Sequence, residues 1–292
     1  MRRFTVFVML FSMILTLSPI QALAREPATP EFTLQMAVEK ALASSDALKS
    51  YEYEVKRTDE IRDYVSDKIE YIPSRPVPMS SADDLILSQA QNEINYNMAK
   101  RNYQAQKDTV VMSVYQAYCG VLQAQEKVRV AEENLKNKDW QVRMAAVGQK
   151  VGTVDSMGVV QAQTAYESAK TSLEAARKAL DDAYQKFNQL VGLWPEDRPV
   201  LLDIPQLTPL AVSEAELDAK VNKAIGASPT VWLAQQKVDL AKLSKQLLDL
   251  TNSNRSETYK AKELEEEKAK VSVDDTKDKM DKLVRTIYYS AK

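Results

Sequence analysis

The chain of 292 residues contains no histidine, a single cysteine and only six glycines, and aromatic residues make up 7% of it. Without histidine the chain lacks the commonest general base and metal ligand, and it cannot form a Ser-His-Asp triad. The lone Cys119 cannot form an internal disulfide, and its place in a helical run predicts a buried structural thiol. The net charge of −2 provides no basic field, so we expect no nucleic-acid partner.

Clustered carboxylates occur in residues 263–270 ("ELEEEKAK") and 273–282 ("VDDTKDKMDK"), where they alternate with lysines. At helical spacing such clusters are typical of solvated helix faces stabilised by pairs of opposite charge. They lack the loop spacing and the glycine of a calcium-binding EF-hand, and no phosphate-binding loop occurs. We therefore expect no catalytic residue, no cofactor and no metal site, which indicates a protein that is not an enzyme.

Residues 1–24 have the pattern of a secretory signal peptide. Arg2 and Arg3 precede the uncharged apolar run "FTVFVMLFSMILTL", and Ala22 and Ala24 form a small-x-small cleavage site. No later segment is long and apolar enough to cross a membrane as a helix. The sequence thus predicts an exported protein of the cell envelope.

Helical periodicity starts soon after the signal peptide. Residues 32–68 carry apolar side chains on one face, with Thr33 as a plausible N-cap, which predicts one helix. Pro73, Pro76 and Pro78 exclude a continuous helix in the segment that follows. The next helix is expected to begin near Asp83 or Asp84.

That helix and its successor carry matching heptad seams. The first seam has alternating steps of four and three, and its members are Val110, Val114, Ala117, Val121, Ala124, Val128, Ala131, Leu135, Val142 and Ala145. The second comprises Val159, Ala162, Tyr166, Ala169, Leu173, Ala176, Leu180, Ala183, Phe187 and Leu190, followed by Gly192 as a C-terminal stop. A short turn separates the seams, so the two helices must run antiparallel and side by side. The predicted fold class is all-α, built around a long antiparallel coiled-coil-like helical hairpin.

The turn comprises Val151, Gly152, Thr153, Val154 and Asp155. After the second long helix, residues 193–216 hold four prolines and form either a linker or an extended strap across the helices. Ser213 and Glu216 then form a capping box that begins a further helix.

An internal repeat divides the chain. Residues 34–55 match residues 217–238, so that Ser45 corresponds to Ser228, and residues 111–118 match residues 284–291. Repeats of this length indicate two similar halves. The sequence is therefore divided into a signal peptide (1–24), a first repeat (25–192), a proline-rich linker (193–216) and an incomplete second repeat (217–292). We expect the chain to be C-terminally truncated, because it ends where a second hairpin should begin.

Three stretches together resemble the TolC-type outer-membrane efflux protein family. They are the repeated opening segment, which carries the family's proline in "AIGASPTV"; the run "VYQAYCGVLQAQEKVRVAEENL"; and the run that begins "VGTVDSMGVVQAQ" and ends "NQLVG". The resemblance covers about residues 32–292. It implies a homotrimer whose helices form a hollow α-helical barrel, a periplasmic adaptor that docks on the hairpin tip, and an inner-membrane pump. The implied docking residues are Val151, Gly152, Thr153, Val154 and Asp155.

Two features depart from the family pattern. Gly158 stands where the family usually has an aspartate. The segments "KIEYIPSRPVPMSS" and "LLDLTNSNRSETYKAKE" lack the usual membrane strands, and the second is expected to continue as helix. The sequence favours an efflux or type I secretion channel component of the outer membrane and periplasm. The alternative is a structural coiled-coil envelope protein without transport activity.

Overall fold

The structure is a computed structural model that describes residues 26–70, 79–206, 213–251 and 256–292. The predicted signal peptide lies outside these residues. The elements in chain order are β1 (Glu31–Phe32), α1 (Leu34–Ser44), α2 (Asp46–Glu70), α3 (Met79–Lys150), α4 (Ser156–Val191), β2 (Val200–Leu201), α5 (Glu214–Ala227), α6 (Pro229–Thr251) and α7 (Ser256–Ala291). In the described residues, no helix carries an apolar stretch sufficient to span a membrane.

Helices α3 and α4 form the long antiparallel hairpin, which confirms the predicted fold class. Every residue of both heptad seams is buried or half-buried. Two contacts between the helices also fix their register: Gln125 donates a hydrogen bond to the Tyr184 hydroxyl (2.8 Å), and Arg177 pairs with Glu132 (2.9 Å). Beyond Ala124, the last fully buried apolar seam residue of α3, the hairpin extends as a two-helix arm of roughly 40 Å.

The main core lies at the base of this arm, where α1 packs against α3 and α4. Phe187 is fully buried and meets the rings of Phe32 and Tyr118 edge to face, with centroids 6.0 Å apart in each pair. Such edge-to-face pairs add to the stabilisation from buried apolar area. The Tyr118 hydroxyl donates to the Phe32 carbonyl (3.3 Å) and accepts from the Asp203 amide (3.1 Å).

Residues 193–206 lie as a strap across this core. Its strand β2 pairs in parallel with β1, joining Glu31 to Val200 and Phe32 to Leu201. Buried Asn188 of α4 binds the strap, because its side-chain nitrogen donates hydrogen bonds to the carbonyls of Trp194 and Asp197 (both 2.9 Å). Gly192 ends α4 in the left-handed conformation (φ 69°), as its position after the seam predicted.

The single helix predicted for residues 32–68 is wrong, because Ser45 divides it into α1 and α2. Ser45 has an extended backbone (ψ 109°), and its hydroxyl accepts the Leu48 amide (3.2 Å), so it both ends α1 and caps α2. Ser228 does the same between α5 and α6, with ψ 122° and a bond from the Val231 amide (3.4 Å). The Thr33 cap is confirmed, since its hydroxyl accepts the Met36 amide (3.2 Å).

The expectation of continuing helix through residues 247–263 is also wrong. Helix α6 ends at Thr251 and α7 begins at Ser256, and the two pack against each other along their length. Lys245 on α6 pairs with Glu266 on α7, and Lys270 pairs with the same carboxylate (2.9 Å). Glu266 is therefore buried between two lysines, although its acidic cluster predicted a solvated face.

Two smaller predictions also differ from the structure. Helix α3 begins at Met79, earlier than the predicted start near Asp83, and runs for 72 residues. Cys119 is half-buried rather than buried.

Candidate functional site

The candidate site is the tip of the α3–α4 hairpin, where the structure has a turn at Val151, Gly152, Thr153, Val154 and Asp155. The Gly148 carbonyl, in the last turn of α3, accepts hydrogen bonds from the amides of Thr153 (2.8 Å) and Val154 (3.2 Å). The Thr153 hydroxyl donates to the same oxygen (3.1 Å). These three donors pair a carbonyl in the last turn of α3, a group that the end of a helix would otherwise leave without a partner.

Gly152 reverses the chain direction at the tip. Its φ of 77° lies in the left-handed region, which costs other L-residues about 1–2 kcal/mol. Nothing in the structure lies near the position of a Cβ at Gly152, so the conformation rather than space explains the glycine.

Val154 packs between two further glycines, one from each helix. A Cβ at Gly148 would lie 2.6 Å from Val154 Cγ2, and a Cβ at Gly158 would lie 2.7 Å from Val154 Cγ1. Because both distances are far below van der Waals contact, the two helices can close on Val154 only where they lack side chains. Gly158 therefore has a steric role in this chain, at the position where the resemblance implied an aspartate.

Asp155 starts α4 as its N-cap. Its side chain accepts the Gly158 amide (2.7 Å), which satisfies one of the unpaired donors at the helix start. The carboxylate also lies at the positive end of the helix dipole. The sequence placed Asp155 in the turn but did not identify this capping bond.

Sequence reasoning missed the contribution of Gly148. A glycine inside a helix destabilises the helix by about 1 kcal/mol relative to alanine. Its presence at position 148 could therefore have indicated a close contact that only glycine allows. Half of the chain's six glycines thus belong to the tip, namely Gly148, Gly152 and Gly158.

Exposed apolar side chains lie at and near the tip, beside the exposed polar residues of the turn. Val151 is 68% exposed, and four more large apolar side chains near the turn are exposed: Met144, Val147, Met157 and Val160. Exposed apolar groups that cluster on a surface mark sites of interaction with a partner. Among the described residues, no group of cysteine and carboxylate side chains is arranged to hold a metal ion.

Solved structures with the same fold include outer-membrane proteins. This chain is similar to CusC, with 13% identity and a TM-score of 0.65 over 90% of this chain and 77% of CusC. It is similar to VceC from Vibrio cholerae, with 12% identity and a TM-score of 0.61 over 84% and 75% of the two chains. The outer-membrane channel OprN is 14% identical, with a TM-score of 0.60 over 87% and 71%. At these identities the likeness shows the fold alone.

Sequence comparison gives the family. No curated protein matches this chain. The family model for outer membrane efflux proteins matches residues 21–193, which include the whole α3–α4 hairpin and its tip. Because this match spans more than half of the 292 residues, the chain belongs to the outer membrane efflux protein family.

Proposed function

We propose that this protein is a channel component of a tripartite efflux or type I secretion system, which exports small molecules or proteins through the cell envelope. It acts as an exported homotrimer of the outer membrane and periplasm. The tip of the α3–α4 hairpin docks a periplasmic adaptor, which connects the channel to an inner-membrane pump. Family membership supports the role in efflux.

The observation that carries the docking role is a group of exposed apolar side chains on and beside a hydrogen-bonded turn. The turn is held by three hydrogen bonds to the Gly148 carbonyl and by Val154 between two glycines. A preorganised surface loses little conformational freedom on binding, so more of its contact energy remains as affinity. The tip lies at the far end of a two-helix arm, away from the other described elements of the chain.

The test is to place a charge on the tip surface. We expect Val151→Asp to abolish export, because an unpaired carboxylate would have to be buried against the adaptor. The matched control is Val271→Asp on α7, since Val271 is also 68% exposed but lies in a different part of the fold. In a strain that lacks the gene, sensitivity to toxic dyes, antibiotics and metal ions identifies an exported compound, and complementation with each variant measures its export.

Two variants test the turn itself. Gly152→Asp and the bulky change Val154→Phe are expected to abolish adaptor-dependent export without changing the helical content measured by circular dichroism. Gly152→Asn is the milder control, because asparagine tolerates the left-handed conformation better than most residues. If export persists in the Val151, Gly152 and Val154 variants, the tip is only a turn. If instead loss of the gene changes the export of none of the tested compounds, the alternative holds, and the protein is a structural coiled-coil envelope protein without transport activity.

A further inference from the structure

Near its outer end, α3 carries a second apolar stripe, which we call the outer stripe. Its members are at least half exposed and follow steps of four, three and four: Trp140, Met144, Val147 and Val151. Val151 continues the helix by one residue, because its amide donates a hydrogen bond to the Val147 carbonyl (3.1 Å). Alternating steps of four and three are the spacing of a heptad seam, so the outer stripe has the pattern of a surface that packs against another helix.

Helix α4 does not cover the outer stripe. The seam that packs on α4 contains Val142 and Ala145, and a residue of the outer stripe follows each of them by two positions. Two positions correspond to about 200° around a helix, so the outer stripe faces away from α4. None of the other described elements covers it either, since Trp140 is 60% exposed and Val151 is 68% exposed.

The outer stripe differs from the single exposed apolar residues that are normal on a protein surface. Its four members follow one another on one helix face over about 16 Å, and Trp140 belongs to the residue type that contributes most often to binding energy at interfaces. The two preceding positions of the same spacing are polar, Asn137 and Glu133. The stripe is therefore confined to the outer end of the arm, where Val151 joins it to the tip.

Cations lie along one side of the outer stripe. Lys136, Arg143 and Lys150 repeat every seven residues and so share one heptad position, directly beside the seam. The position on the opposite side of the seam is uncharged, with Gln141 and Gly148. Charges beside a seam determine which helix it accepts, because they pair with charges on the partner. This row of cations therefore favours a partner helix with carboxylates on the facing side.

The salt bridges that these cations form within α3 leave them available to a partner. Lys136 pairs with Glu133 (2.9 Å) and Arg143 pairs with Asp139 (2.7 Å), and in both pairs the side chains are exposed to solvent. Exposed pairs of this kind contribute only about 0–1 kcal/mol. Lys150 forms no salt bridge with any other described residue. Residues 133–151 contain four cations and two carboxylates, so this end of α3 remains positively charged after internal pairing.

We propose that the outer stripe packs against an amphipathic α-helix of a partner protein, one with an apolar seam and an acidic flank. The contact adds a third helix to the arm over about three turns. The inference rests on the proposed function, in which this helix belongs to the adaptor, and it extends the docking surface from the turn along α3. Two outer stripes from two copies of the chain supply no acidic flank for the cations, so the occupant is not a second copy packed through the same stripe.

The test uses two synthetic helical peptides, about three heptads long, that share one leucine seam. One peptide carries glutamate and the other carries lysine at the positions beside the seam, and these like charges keep each peptide from pairing with itself. Fluorescence anisotropy of the labelled peptides measures their binding to the purified mature chain. We expect the acidic peptide to bind more than about tenfold more tightly than the basic peptide.

A tryptophan variant tests the apolar part of the contact. Trp140→Ala should weaken binding of the acidic peptide more than about tenfold, because it removes the largest side chain of the outer stripe. The matched control is Trp194→Ala in the strap, since Trp194 is 64% exposed and Trp140 is 60% exposed. The control should leave binding unchanged.

Charge reversal tests the row of cations. The double variant with Arg143→Glu and Lys150→Glu should reverse the preference of the chain, so that the basic peptide binds more tightly than the acidic one. Lys170→Glu combined with Lys178→Glu is the control, because it changes the net charge equally at two exposed lysines of α4. The control should keep the preference for the acidic peptide.

The inference is overturned if the acidic peptide does not bind, if both peptides bind equally, or if the Trp140 and Trp194 variants have equal effects. It is also wrong if the chain self-associates in sedimentation velocity and Trp140→Ala abolishes this association, because a second copy then covers the outer stripe. Complementation separates the inference from the proposed function. If Val151→Asp abolishes export while Trp140→Ala leaves it unchanged and the acidic peptide does not bind, the proposed function stands and the partner helix is excluded.

Discussion

Because Val154 packs between two glycines, we expect Gly148→Ala to destabilise the tip. A change from glycine to alanine within a helix usually has the opposite effect and stabilises it. Alanine is normally better than glycine in a helix by about 1 kcal/mol. At Gly148 the added methyl group would lie 2.6 Å from Val154 Cγ2. Val154 cannot easily move aside, because valine is stiff at χ1 and its other methyl group already lies against Gly158.

The size of the effect follows from these two opposing contributions. Overpacking by one methyl group in a tight contact costs about 1–3 kcal/mol. After the gain in helix propensity, Gly148→Ala should destabilise the tip by up to about 2 kcal/mol. Gly226→Ala is the control, since nothing lies near the position of its Cβ and only the propensity gain remains.

Hydrogen exchange of the Thr153 and Val154 amides is the assay, because both donate to the Gly148 carbonyl and report local opening of the turn. A double-mutant cycle with Val154→Ala isolates the clash with Val154 Cγ2, since removing the two methyl groups leaves only the Thr153 hydroxyl (3.1 Å) and the Cβ of residue 154 (3.3 Å) near the added methyl group. We expect a coupling free energy of about 1–3 kcal/mol between the two positions. A coupling below about 0.5 kcal/mol, the level of additive sites, would refute the steric reasoning.

Two further predictions concern the ionic and polar contacts outside the tip. Hydrogen bonds from Lys245 and then Lys270 lower the pKa of Glu266 from 4.5 to about 2. Because its folded-state pKa is lowered, the stabilisation is complete above about pH 4.5 and is lost as the pH falls toward 2. Thermal unfolding of Glu266→Gln should therefore depend less on pH in that window, and an unchanged pH dependence would contradict this. Asn188→Ala removes the donor to the strap carbonyls and should cost about 1–3 kcal/mol. Hydrogen exchange of the Val200 and Leu202 amides, which join the strap to Pro30 and Phe32, should become faster, whereas Gln189→Ala on the exposed face should leave its rate unchanged.

The long hairpin could be predicted from the sequence because its determinants are local and periodic. The heptad seams place apolar groups on one face of each helix, and a short turn allows only an antiparallel arrangement. The same reasoning failed at Ser45, since apolar periodicity continues across it. A side-chain cap can interrupt a helix without disturbing the hydrophobic pattern.

The errors at Glu266 and Gly148 have a common physical cause. Whether a carboxylate is solvated depends on the helix that packs against it, and Lys245 lies 21 residues away in the sequence. The requirement for glycine at position 148 depends on a side chain from the other side of the turn. Neither contact has a local signature, because each is made only when two elements meet.

The sequence by itself determined the helical class, the heptad seams, the hairpin turn and the internal repeat, because these follow from the spacing of residue types along one chain. The tertiary structure alone decided that Val154 is enclosed by glycines and that α6 and α7 fold back on each other. It also left Ile287 of α7 exposed while burying Val114, the residue that corresponds to it in the first repeat. Repeated sequence gives equivalent positions, but burial depends on which helices lie beside them, and that is a property of packing.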